Sequence, residues 1–324
     1  MRWRRAFMAG GAALGAAATF NAFVNQAEPL TNLIGGDEGE FTWRGRRIAY
    51  TRRGPAGAGP PPLLLVHGIY AGAWSYEWRA NAQALSAERE VYTVDLLGFG
   101  MSDRPDVRYS ARLFFNLLDD FARQVIGGPC VLVASSLSAA YAAVLGARDP
   151  GRFPALVLIA PTGLTRLHAP ANTGGDIARL VIDSPVVGTA LFNALVSRPS
   201  LRYYLERVYA NNSLVTEELL DVYYASSHQA GARFAPAAFV AQQLNIDIRN
   251  AMRRLQQPLL LVWGDQALEV PVEDAFRLRA LKPDLELVVL DPAGSLPHDE
   301  RATEFNDAVL GFLERVPGEG VPRG

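Results

Sequence analysis

An α/β fold built on a mostly parallel sheet is predicted by three features of this 324-residue sequence. Six short, nearly continuous apolar runs recur along it, at residues 63–66, 91–94, 130–134, 156–159, 259–263 and 287–290. Strands buried on both faces of a parallel sheet read this way. Helical patterns at 77–85, 111–126, 137–148, 272–281 and 303–313 separate them, and such alternation puts helices on both sheet faces. The alternation breaks once, because residues 164–257 carry helical patterns and no strand-like run.

In chain order, Arg2, Arg4 and Arg5 precede an alanine- and glycine-rich apolar stretch from 6 to 19, with no acidic residue before Glu28. That layout is expected of a signal or membrane-anchor segment over residues 1–27, and Arg4-Arg5-Ala6-Phe7-Met8 resembles a twin-arginine export signal. The stretch is shorter than the roughly 20 residues of a spanning helix. Export or membrane association is the expectation, with an ordinary N-terminal helix on a cytoplasmic protein as the alternative.

Residues 28–40 read as a linker, and 41–53 as a β-hairpin turning at Arg44-Gly45. The core is expected at 41–163 and 258–316, with a Pro/Gly-containing disordered tail at 317–324. Between the two core parts, 164–257 is expected to form a helical cap, its clearest helices at 200–209, 216–226 and 236–244. Thr216 caps the second, with Glu217 and Glu218 in its first turn. Helices inserted between two strands of a parallel sheet cover its carboxyl edge, where open α/β sheets bind ligands. Seven tyrosines and phenylalanines, among them Tyr203, Tyr204 and Tyr223, divide between the cap's own packing and a substrate pocket.

Composition excludes several classes. A net charge of −2 makes no electrostatic case for nucleic acid. Cys130, the single cysteine, excludes an internal disulfide and a cysteine-based zinc site. In a buried strand it is inert core. Gly98-Phe99-Gly100 lacks the third glycine of a dinucleotide site, and neither a cofactor nor a metal is indicated. The expected partner is a small-molecule substrate; the oligomeric state is not legible.

The chemistry centres on residues 130–141, where an apolar run meets Ser135-Ser136 and an alanine-rich helix follows. A serine at such a junction, flanked by small residues, builds a nucleophile elbow. Ala134 and Ser138 hold the flanking positions where glycine is usual, and a helix-capping serine is the alternative. A serine nucleophile needs a base, and histidine has the pKa for it. His168 and His228 fall in the cap, leaving His67 and His298 on loops at the serine's edge of the sheet.

With His67-Gly68, the segment Ser75-Tyr76-Glu77-Trp78-Arg79-Ala80-Asn81, the loop from Asp95 to Pro105, the elbow, Trp263-Gly264-Asp265 and Pro297-His298-Asp299-Glu300 in this order, the chain resembles the α/β-hydrolase superfamily from about Phe41 to Leu313. Two of the motifs resemble its dehalogenase, epoxide-hydrolase and cofactor-free haloperoxidase branches. The resemblance implies Ser136 as nucleophile, His298 as general base, and the backbone N–H groups of Ile69 and Leu137 as oxyanion hole. It returns His67 to shaping the oxyanion loop, and makes Asp95 and Asp103 braces of the 95–105 loop. Dehalogenases and epoxide hydrolases of this fold use an aspartate nucleophile, so Ser136 favours acyl transfer on a carboxylic ester or thioester.

The triad acid departs from the family's pattern. Three residues beyond Gly264 stands Ala267, with Asp265 and Glu269 two positions away on either side. A two-residue shift in extended chain moves a side chain by roughly 6–7 Å. The relatives' other acid position holds Ala160-Pro161-Thr162. Three readings follow: an esterase-like serine hydrolase with Asp265, or less favoured Glu269, as acid; a slow Ser-His dyad; or a nearly inert pocket binding an apolar ligand.

Overall fold

The computed structural model describes Gly15, Thr19, Asn21 and residues 27–57, 59–169, 175, 182 and 184–316. The C-terminal tail, and nearly all of the segment expected to direct export, lie outside the described residues. Among the described residues no helix is long and apolar enough to cross a membrane.

The chain starts its sheet earlier than the expected linker allows. Strand β1 (Asp37–Trp43) pairs antiparallel with β2 (Arg46–Arg53). Arg44 and Gly45, both at positive φ, make the turn between them, as a two-residue hairpin with this twist requires. Six parallel strands follow: β3 (Leu63–Val66), β4 (Val91–Val94), β5 (Val131–Ser135), β6 (Leu156–Ile159), β7 (Leu259–Gly264) and β8 (Glu286–Leu290). The sheet order is β1-β2-β4-β3-β5-β6-β7-β8, with β2 antiparallel to β4 and every later pairing parallel. β3 to β7 are buried throughout, which is why their sequences show no period-2 alternation.

Helices α1 (Ala82–Leu85), α2 (Ala111–Phe121), α3 (Ser136–Arg148), then after the cap α9 (Glu273–Leu281), α10 (Pro297–Glu300) and α11 (Ala302–Arg315) belong to the core. The cap contributes α4 (Val187–Leu195), α5 (Arg198–Val208), α6 (Glu217–Ser227), α7 (Phe234–Val240) and α8 (Arg249–Arg254). Thr216 caps α6 by accepting from the Leu219 N–H. The expected helix at 77–85 divides into a 3₁₀ turn (Ser75–Trp78) and the short α1. Its buried groups are drawn to partners elsewhere: Ser75 N–H donates to Asp95, and Asn81 to the His298 carbonyl.

Two loops at the carboxyl edge press together. A Cβ on Gly264, at the end of β7, would stand 2.0 Å from the Gly294 carbonyl oxygen and 2.4 Å from that of Ala293. Both obstacles are backbone, so Gly264→Ala must displace the loop after β8. We expect a loss of about 1–3 kcal/mol, read as a lowered urea midpoint with unchanged slope; an unchanged midpoint would mean the loops are not in contact.

Candidate active site

Two adjacent serines at the end of β5 face different surroundings. Along β5, Val131 and Val133 enter the core layer that holds Trp78 and Phe305, while Leu132 and Ala134 enter the opposite layer. Strand alternation carries Ser135 to the Trp78 side, where it is buried beside Gly68. Ser136 then breaks the strand with φ +54°. Left-handed backbone is uncommon outside glycine, and at a strand-to-helix junction it lifts the side chain clear of the sheet. Ser136 accordingly opens onto a cavity of about 490 Å³ beneath the cap, together with Ile69, Thr162, Phe192 and Tyr204. The lining is mainly apolar.

The expected base and acid make no hydrogen bond to Ser136 among the described residues. His298 is fully buried, with its ring between Trp78 and Phe305 (centroids 4.8 and 5.7 Å away). Its Nε2 lies 3.1 Å from Oε1 of Glu77, and its Nδ1 has no hydrogen-bond partner. No hydrogen bond joins it to Ser136 among the described residues. No hydrogen bond joins Asp265 to the His298 ring among the described residues. The Asp265 carboxylate accepts the Ala293 N–H at 2.9 Å and its own N–H donates to the Leu290 carbonyl, so it ties the loop after β7 to the loop after β8. Glu269 stands half-exposed at the cavity rim, 3.8 Å from Arg207. Ile69 lines the cavity, and Leu137 is buried in the first turn of α3. His67 accepts the Leu96 N–H on Nε2 and meets the Gly68 carbonyl through Nδ1. Asp95 and Asp103 brace the 95–105 loop region, accepting from Ser75, Met101 and Arg47 N–H groups.

The residue not anticipated is Glu77. Besides His298, its carboxylate accepts the Gly68 N–H at 3.0 Å and the Tyr70 hydroxyl at 2.8 Å, the latter also 3.1 Å from the Tyr223 hydroxyl of the cap. Burial alone would push its carboxyl pKa up. The hydrogen bond and charge of the His298 ring, with His67 and the Ser135 hydroxyl, outweigh burial and hold it below the ordinary glutamate value. The rest of the Pro297–Glu300 turn also clamps cap to core. Asp299 meets Arg79 at 2.6 Å and accepts the Tyr209 hydroxyl, and Glu300 accepts the Gly294, Ala210 and Asn211 N–H groups.

A family model described as the alpha/beta hydrolase family matches residues 63–308. This chain belongs to the α/β-hydrolase family. It is 29% identical over 270 residues to the dihydrolipoyllysine-residue acetyltransferase component of an acetoin cleaving system from Pseudomonas putida, covering 80% of this chain and 65% of that longer protein. It is 27% identical over 272 residues to 2-hydroxymuconate semialdehyde hydrolase from Pseudomonas sp. (strain CF600), covering 80% of this chain and 89% of the other. A solved structure described as a membrane phospholipase A superposes with a TM-score of 0.72 at 24% identity, over 98% of this chain and 99% of the other. At that identity the likeness is one of fold.

In this α/β hydrolase, Glu77 was visible in sequence as the one acid of the Ser75–Asn81 motif, but its partner lies 221 residues away. Its lowered pKa has a consequence. A carboxyl whose folded pKa is below its unfolded value contributes stability that is fully present above the unfolded value, about 4.3. That stability is lost as pH falls through the folded value. Wild type should therefore lose unfolding free energy from about pH 5 downward, and Glu77→Gln should flatten that slope in urea titrations. His298→Ala, which leaves the buried carboxylate without its ring partner, should cost about 3–5 kcal/mol at neutral pH. Unchanged stability in both variants would show that the pair is not formed.

Proposed function

We propose that this chain is a serine-dependent hydrolase of carboxylic esters or thioesters with an apolar acyl group, and that Ser136 is its nucleophile. The observation carrying the reading is the left-handed Ser136 backbone at the β5–α3 junction, with the side chain opening on an apolar cavity. Strained backbone of this kind costs about 1–3 kcal/mol and persists where the surroundings over-determine it, as at active sites. In the proposed reaction Ser136 Oγ attacks the acyl carbon as its proton passes, directly or through solvent water, to the departing oxygen or sulfur, and the Ile69 and Leu137 N–H groups receive the developing oxyanion. Leu137 suits this role because the first N–H groups of a helix lack intrahelical partners. The alcohol or thiol departs and water releases the acyl group. Hydrolases among the chain's relatives support the reaction class.

The environment of His298 sets the expected rate. With its Nε2 against Glu77 and its ring buried beside Trp78 and Phe305, activation of Ser136 rests on the elbow and the oxyanion hole, which by themselves retain a small part of triad catalysis. Turnover is expected to be about 10⁶-fold below that of an aligned Ser-His-Asp enzyme, the loss that follows when the base is missing. The same observation, with Ala267 at the acid's expected place, favours a second reading, a pocket that binds an apolar ligand without turnover.

Hydrolysis of p-nitrophenyl butyrate by wild type, Ser136→Ala and Asp265→Asn separates the two. We expect a slow wild-type rate that Ser136→Ala removes and that Asp265→Asn leaves within about threefold, a change of under 1 kcal/mol. A wild-type rate equal to that of Ser136→Ala would leave the binding reading. A 10⁴-fold loss in Asp265→Asn would restore Asp265 to the triad.

A further inference from the structure

The cavity mouth carries apolar side chains that nothing in the described structure covers. Val187, Leu191 and Leu195 recur every four residues on α4, so they form one ridge, and each keeps 42–52% of its surface exposed. Leu195, Tyr203 on α5 and Val240 on α7 line the Ser136 cavity and are themselves more than half exposed. The ridge is therefore continuous with the lip of the cavity. Scattered single exposed leucines are ordinary; a contiguous patch leading into a pocket marks an interaction site.

Two further observations indicate what the patch meets. Residues 6–19 form an uncharged, apolar stretch behind Arg2, Arg4 and Arg5. Just beyond that stretch, Asn21 is fastened to the helix bearing the ridge: its side-chain amide donates to the Val186 carbonyl at 3.0 Å and accepts from Asn193 at 3.2 Å. The chain's most membrane-seeking stretch thus leads directly to α4. Arg166 and Arg207 stand at the same rim, Arg207 beside Glu269, which leaves the rim with a net positive charge, and cations beside an apolar surface suit an anionic lipid headgroup layer.

We propose that the cavity mouth is a membrane-contact surface: the α4 ridge, Tyr203 and Val240 rest in the interface of a lipid bilayer, and an amphiphilic ester passes from the lipid phase to Ser136. The contact stands on its own observations, whereas the identity of the entering molecule rests on the hydrolase reading above. An aromatic at the lip fits this placement, since tyrosine favours the headgroup level.

The test uses the full chain carrying Ser136→Ala, so that no catalysis is needed. Cys130 is fully buried, so Leu191→Cys can be labelled selectively with an environment-sensitive nitrobenzoxadiazole dye, and Arg123→Cys, an exposed position on the turn following α2, serves as control. Adding phosphatidylethanolamine–phosphatidylglycerol vesicles should raise and blue-shift emission at 191, make it quenchable by nitroxide lipids, and leave 123 unchanged. No response at 191, or equal responses at both positions, would overturn the proposal. A rise at 191 that follows protein concentration without vesicles would overturn it in favour of a second copy as occupant. In the active protein, Val187→Asp/Leu191→Asp, neither of which lines the cavity, should slow hydrolysis of a long-chain ester held in vesicles by at least about tenfold. Hydrolysis of soluble p-nitrophenyl butyrate should be unaffected. Equal loss on both substrates would contradict the proposal, and no hydrolysis of either would sink only the hydrolase reading.

Discussion

Around one buried carboxylate, that of Glu77, the carboxyl edge of the sheet is assembled. An ionised group with no access to water is tolerable only when its lone pairs are occupied and its charge is answered. Here the Gly68 N–H and the Tyr70 hydroxyl occupy one oxygen and the His298 ring faces the other. Gly68 opens the loop that carries Ile69 into the cavity, and Tyr70 reaches Tyr223 in the cap. One side chain therefore ties together the loop beside Ser136, the turn at Pro297–Glu300 and the cap. Neighbouring ties repeat the pattern with Arg79 to Asp299 and Asn81 to the His298 carbonyl. The 3₁₀ turn and α10 thus form a clasp, which is why the segment from 75 to 85 does not run as one helix.

That clasp divides the two serines by role. Ser135 belongs to the buried side with Glu77, Trp78 and His298, whereas Ser136 belongs to the cavity. A change of backbone hand across a single peptide bond separates a packing position from one that faces the cavity. Histidine chemistry follows the same division. His298 can donate from Nε2 to Glu77, 3.1 Å away. Asp265 and Glu300 are likewise consumed by backbone N–H groups. Together with the Glu77–His298 pair, they hold the loops after β7 and β8 and the turn at Ser75–Trp78 against one another.

The fold was legible because its signals are local. Each buried strand announced itself as an apolar run, the hairpin by Arg44-Gly45, and the cap by the long interval without strands. Element ends moved by a residue or a few, and β1 extended into the expected linker, since pairing with Arg52 and neighbouring residues recruits Asp37 and Glu38 whatever their own propensities. The elbow was legible for the same reason: a strand, two serines and a helix are contiguous, and the backbone turns left-handed at Ser136. The partner of His298 was not, because Glu77 and His298 meet only through the tertiary fold, and the apparent alternatives, Asp265 and Glu269, differ only in which backbone or arginine they face. Ridge residues on α4 were hidden by their sequence resemblance to any amphipathic core helix; only the folded exposure distinguishes them.

The central claim, that Ser136 is the reactive group of this cavity, is tested most directly by a crystal structure of the protein after reaction with diethyl p-nitrophenyl phosphate. The account predicts a phosphoryl group on Ser136 Oγ, with one oxygen directed at the N–H groups of Ile69 and Leu137 and the His298 ring still against Glu77. An unmodified Ser136 after exhaustive reaction, or a phosphoryl group on another side chain, would contradict it.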